Sequence, residues 1–122
     1  AVVDKYEEQD EAPTFAMENH VVRLGDIAFV TNPFELFLDY GVRVRARGPA
    51  IQTFVMQLVG SRTGTKDDHP GRFPRRGGTY LPTARAEAGG GYSACVYCNQ
   101  VGHQGGQEWV DATLRELQQL FR

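Results

Sequence analysis

The sequence predicts one mixed α/β domain: short buried strands, a helix after the first strand pair, and an amphipathic helix at the C-terminus. Three observations predict it. Ile27-Ala-Phe-Val30 is a short apolar run of the kind found in strands covered on both faces, and Phe34, Phe37, Leu38, Gly41 and Val42 follow at helical spacing. Thr53-Phe-Val-Met-Gln-Leu-Val59 is β-branched and apolar, which marks a second buried strand. Two strands bracketing a helix imply a parallel pair. Trp109, Val110, Leu114, Leu117 and Phe121 then recur along one face of a terminal helix.

Composition bounds the possibilities. A chain of 122 residues suits one domain with a real core. A net charge of −2 argues against a nucleic-acid-binding protein. No apolar run approaches the roughly 20 residues that span a bilayer. The chain starts at Ala1 without a signal-peptide pattern, as expected of a processed product or a piece of something longer. Two cysteines are too few for a disulfide scaffold and leave the compartment open.

Each element follows from its residues. Residues 1–19 carry Asp4, Glu7, Glu8, Asp10, Glu11 and Glu18 against Lys5, so they read as an acidic arm, ordered only if it docks. Residues 20–122 form the domain. Val21, Val22 and Leu24 make a short strand, and Gly25-Asp26 turns it into the central one. Thr31 and Asn32 then suit a helix cap and Pro33 a first helical position. Glu35, three residues after Asn32, fits the last position of a capping box. The same residue is a carboxylate at the mouth of a strand-to-helix junction, where open α/β sheets build sites. Both readings of Glu35 stand at this level.

Arg43, Arg45 and Arg47 read as a solvated helix end, closed by Gly48-Pro49. Residues 60–79 break every pattern and are rich in Gly, Pro and Arg; a loop of this length is often functional or mobile, and the plainer reading is a basic insertion suited to touching the acidic arm. Tyr80-Leu-Pro-Thr83 is extended, Ala84–Ala88 makes a turn or two of helix, and Gly89-Gly-Gly91 stops it. Ser93 to Tyr97 is expected to form a short strand. The terminal helix follows Gly105-Gly106, with Asp111, Arg115, Glu116 and Gln119 on its wet side.

Among local motifs, Cys95-x2-Cys98-x4-His103-x4-Glu108 has the spacing of a zinc knuckle. Glutamate stands where the fourth cysteine belongs, and no Lys or Arg lies between Cys95 and Glu108 to meet phosphate. No thioredoxin-like helix start surrounds the cysteines either, so two small, partly buried thiols are expected. His20 and His69 read as isolated surface residues, and no serine sits on a Gly-x-Ser-x-Gly turn. Tyr80 and Tyr92 read locally as wet-edged packing rings.

Blocks in order along the chain resemble a known family. Pro33-Phe-Glu35-Leu-Phe37-x3-Gly41, after Leu24-Gly-Asp-Ile-Ala28, resembles the Pro-Gly-Glu-Pro-Phe-x3-Gly segment of the neutral/alkaline (non-lysosomal) ceramidases. Ala46-Arg47 and Thr53-Phe-Val55 are similar to that family's next strand. Gly78-Thr-Tyr80-Leu-Pro-Thr83 resembles its Gly-Tyr-Ile-Pro-Thr motif, with Tyr92 at the spacing of its second tyrosine. Val101-Gly102 through Trp109-Val110 resembles its C-terminal close. The resemblance implies a zinc-dependent amidohydrolase that cleaves the N-acyl amide of ceramide to a sphingoid base and a fatty acid. It implies Glu35 and Tyr80 as zinc ligands and Tyr92 as the group that steadies the oxyanion. It also suggests a secreted or periplasmic setting.

Phe34 and Leu36 depart from the family's Gly and Pro, and the link 60–79 is longer. The two histidine ligands of the family lie in upstream segments without counterpart here; His20, His69 and His103 match no such block. The expectation is therefore a C-terminal portion of a ceramidase-like catalytic domain, inactive alone and binding zinc weakly or not at all. A different class, a non-enzymatic interaction domain that self-associates through exposed apolar surface, is the alternative.

Overall fold

A computed structural model describes residues 14–60, 78–95 and 97–122. The fold is mixed α+β. Strand β1 (Val21–Leu24) runs antiparallel to β2 (Ile27–Asn32) through a tight turn whose Gly25 has φ +61°. A two-residue strand, β3 (Glu35–Leu36), precedes helix α1 (Leu38–Arg47). Strand β4 (Gln52–Gln57) then returns parallel to β2, giving the sheet order β1-β2-β4. Strand β5 (Tyr80–Leu81) pairs in parallel with β3 as a second small sheet. Helix α2 (Ala84–Gly89), a 3-10 turn (Tyr92–Ala94) and helix α3 (His103–Leu120) complete the chain.

One face of the main sheet is covered by the helices. Ala28 and Val30 of β2 pack with Tyr40 and Val44 of α1, and with Trp109, Val110, Leu114 and Leu117 of α3. Each valine or leucine among them contributes about 1.5–3 kcal/mol by leaving water. Among the described residues the other face stays open. There Val22 and Leu24 stand beside Ile27 and Phe29, and Phe54 stacks on Phe29 with ring centroids 5.1 Å apart. The expected full burial of the second strand is thus corrected: Thr53 is buried, but Phe54 and Met56 lie exposed because no layer among the described residues covers their face.

The end of the acidic arm is docked. Phe15 meets Phe34 at 5.1 Å, Asn19 Oδ1 accepts from Trp109 Nε1 (3.0 Å), and Asn19 Nδ2 donates to Thr113 (3.3 Å). The rest of the arm, residues 1–13, and positions 61–77 of the basic stretch lie outside the described residues, as does His69. His20 is exposed and pairs with Glu18.

Three boundaries differ from the sequence reading. Helix α1 begins at Leu38, not just after Pro33. Asn32 Oδ1 accepts from Phe34 N (2.8 Å), which makes a turn, and Glu35 N and Phe37 N donate to Thr79 O (2.9 Å) and Leu81 O (3.2 Å). Backbone groups expected to propagate a helix are instead taken by a partner strand. Glu35 is therefore no helix cap; the residue at the cap is Phe37, whose side chain makes no capping bond. Ser93 to Tyr97 forms no strand among its described residues, because Cys98 N donates back to Cys95 O (2.9 Å) in a turn. Helix α3 starts at His103, earlier than Gly105-Gly106 suggested. Glu87 of α2 enables this: its Oε1 accepts from His103 N (2.8 Å) and its Oε2 bonds His103 Nδ1. A borrowed carboxylate satisfies the helix start that Gly102 cannot cap.

The arginines of α1 do more than solvate its end. Arg43 donates to Gln107 Oε1 (2.7 Å), and Arg47 lies 3.8 Å from Asp111, joining α1 to α3. No helix among the described residues is long and apolar enough to cross a membrane.

Candidate functional site

The central strand ends at Asn32, and the chain turns at Pro33-Phe34 with both residues buried. Glu35 comes next, just beyond the carboxyl end of a parallel strand, the place where such sheets gather functional groups. Across the small sheet Glu35 is the register partner of Tyr80. Their side chains stand close enough for the charge of Glu35 to act on the Tyr80 phenol. The negative charge of Glu35 is the main reason the Tyr80 hydroxyl holds its proton above the usual phenol range; partial desolvation and neighbouring Tyr92 and Cys98 act the same way.

Tyr92 completes the group. It opens the 3-10 turn that Gly90 (φ +69°) and Gly91 (φ +107°) make possible, conformations costly for a residue with a Cβ. Its ring meets that of Tyr80 edge-on at 5.8 Å, and it is 77% exposed, so its hydroxyl is open to a ligand. Three side chains far apart in sequence thus share one open corner: a carboxylate, a phenol opposite it in register and a second accessible phenol. Such a corner offers hydrogen-bond donors to an oxygen that gains negative charge and an acceptor for a proton.

The corner is held from behind. Tyr40 is buried, and its hydroxyl donates to Pro82 O (2.6 Å), two residues beyond Tyr80. Tyr80 N donates to Cys98 O (3.2 Å), tying β5 to the turn that carries both cysteines.

As a zinc site the residues present do not suffice. Glu35 and Tyr80 offer two oxygen donors, whereas catalytic zinc takes three protein ligands, mostly nitrogen or sulfur. Among the described residues no group of three or more His, Cys, Asp or Glu side chains is arranged to hold a metal. The knuckle spacing is not used as a ligand set either: His103 is engaged by Glu87, and Glu108 points to solvent on α3.

Two polar groups beside Glu35 were not singled out by their sequence patterns. Asn32 is fully buried with its Nδ2 lacking a hydrogen-bond partner among the described residues, and Thr79 Oγ1 is in the same state. Buried donors of this kind call for a specific partner. Asn32 had looked like a helix cap, which concealed it. Comparison with family models, curated proteins and solved structures finds no match to this chain.

Proposed function

We propose that this chain is the C-terminal part of the catalytic domain of a ceramidase-like zinc amidohydrolase, which hydrolyses the N-acyl amide of a ceramide-type lipid to a sphingoid base and a fatty acid. The observation that supports this reading is the meeting of Glu35, Tyr80 and Tyr92 at one corner. The same three positions are the ones the ordered sequence blocks match to the family's glutamate, first tyrosine and second tyrosine. In this reading Glu35 and Tyr80 are the oxygen ligands that this chain brings to a zinc ion, and histidines outside it complete the set. Zinc supplies Lewis-acid polarisation and an activated water when bound. Tyr92 donates its exposed hydroxyl to the oxygen of the amide carbonyl as that oxygen becomes negative. The 122 residues alone hold too few ligands and are inactive.

Calorimetric zinc titration tests the ligand assignment. The isolated chain is expected to show no tight site, and a tight stoichiometric site on it would contradict the proposal. In a longer form that carries the histidines, one zinc per chain is expected, weakened by Glu35→Ala.

A second reading has its own observation. The open face of the main sheet presents Val22 (54% exposed), Leu24 (65%), Phe54 (45%) and Met56 (44%) as a row of apolar side chains on edge strands. Such faces drive association. In this reading the chain is a non-enzymatic domain that pairs with a second copy through that face. Sedimentation equilibrium separates the readings: a dimer dispersed by Phe54→Glu favours self-association, and a monomer opposes it.

A further inference from the structure

Cys95 and Cys98 lie on the turn next to the tyrosine corner, and that turn shapes their chemistry. Cys98 N donates to Cys95 O (2.9 Å), and the two sulfurs lie 3.6 Å apart. Neither cysteine is in a disulfide, and both are partly exposed. A disulfide has about 2.05 Å between sulfurs, so closing one brings these two together by roughly 1.5 Å. The thiol of Cys95 also contacts Tyr92 O at 3.2 Å.

Burial pushes the Cys95 thiol up, but its hydrogen bonding with the Cys98 thiol and with the backbone around Tyr97 and Cys98 outweighs it and brings it below its ordinary range. The Cys95 sulfur is influenced by a turn rather than by the helix start that the Cys-x2-Cys spacing lacks. An accessible thiol with enhanced thiolate character and a second thiol within reach are the two parts of a dithiol exchange site.

We propose that Cys95 and Cys98 form a dithiol site that reduces external disulfides and closes an intramolecular Cys95–Cys98 bridge. The Cys95 thiolate attacks one sulfur of the external disulfide, whose S–S bond breaks, and the leaving thiolate takes up a proton. The Cys98 thiolate then attacks Cys95 Sγ in the mixed disulfide, forming the bridge and releasing the second thiol, which is protonated in turn. Two cysteine thiols are oxidised, one external disulfide is reduced to two thiols, and both protons lost by the cysteines end on the products. The bridge forms in the segment that carries Cys98 O, the acceptor for Tyr80 N, so its formation is felt at Tyr80. This chemistry is independent of amide hydrolysis.

The test is incubation of the 122-residue protein with oxidised glutathione, acid quenching and intact-mass measurement. The wild type is expected to lose two hydrogens, to carry no glutathione and to regain its thiols with dithiothreitol. Cys98→Ser is expected to stop at a stable glutathione adduct on Cys95. A wild type that stays fully reduced, accumulates a stable adduct or cross-links between chains would overturn the proposal.

Discussion

Glu35 and Tyr80 are register partners across the parallel pair β3–β5, and the carboxylate acts on the phenol through its charge. The charge on Glu35 is what raises the Tyr80 phenol. Glu35→Gln keeps the shape and removes that charge, so the Tyr80 phenol is expected to titrate at lower pH. Ultraviolet titration of tyrosinate, with Tyr80→Phe to assign the signal, measures it. An unchanged midpoint would show that the pair is not coupled.

Tyr40 makes stability depend on alkaline pH. Burial pushes its phenol up from 10.0 to about 12, with Arg43 opposing that shift and Glu87 and Asp39 adding to it. Below pH 10 both folded and unfolded chains keep the proton. Between pH 10 and about 12 the unfolded chain binds fewer protons, so stability falls as pH rises. Urea denaturation across that window is expected to show a loss of roughly 2–3 kcal/mol. Tyr40→Phe should flatten this dependence, at a cost near neutrality of about 1–2 kcal/mol for the lost bond to Pro82 O.

Gly106 is the contact point between α3 and Tyr40. A Cβ built there overlaps the Tyr40 ring, with Cε1 at 2.8 Å, and that ring is fixed by its bond to Pro82. Gly106→Ala adds about 1 kcal/mol of helix propensity, but overpacking costs roughly 1–3 kcal/mol. A lower urea midpoint with an unchanged slope is the expected result.

Glu87 caps a helix to which it does not belong. Removing it in Glu87→Ala leaves the start of α3 without its acceptor. The expected cost is about 1 kcal/mol, with faster hydrogen exchange confined to the first turn of α3. Exchange that rises uniformly along α3 would contradict a local capping role.

The order of elements was legible because it rests on local patterns. The hairpin at Gly25, the parallel return of Thr53–Val55, the stop at Gly48 and the apolar stripe from Trp109 to Leu117 are all written in residue spacing. The start of α1 was not legible. Pro33 and Glu35 fit a helix, and only the distant strand at Tyr80 shows why their backbone is extended. The site was legible in part: Glu35, Tyr80 and Tyr92 were named through a resemblance, since no local spacing joins them. Asn32 and the dithiol turn were hidden, because burial and sulfur–sulfur distance depend on three-dimensional neighbours.

Amide hydrolysis tests the central claim most directly. The protein in a form carrying the two histidine ligands, assayed with zinc on an N-acyl sphingoid substrate, is expected to release fatty acid. Tyr92→Phe should slow that release by about 10²-fold or more; Glu35→Ala should abolish it, and the isolated 122-residue chain should give none. Release that is absent from the histidine-bearing form, or unchanged in Glu35→Ala and Tyr92→Phe, would contradict the account.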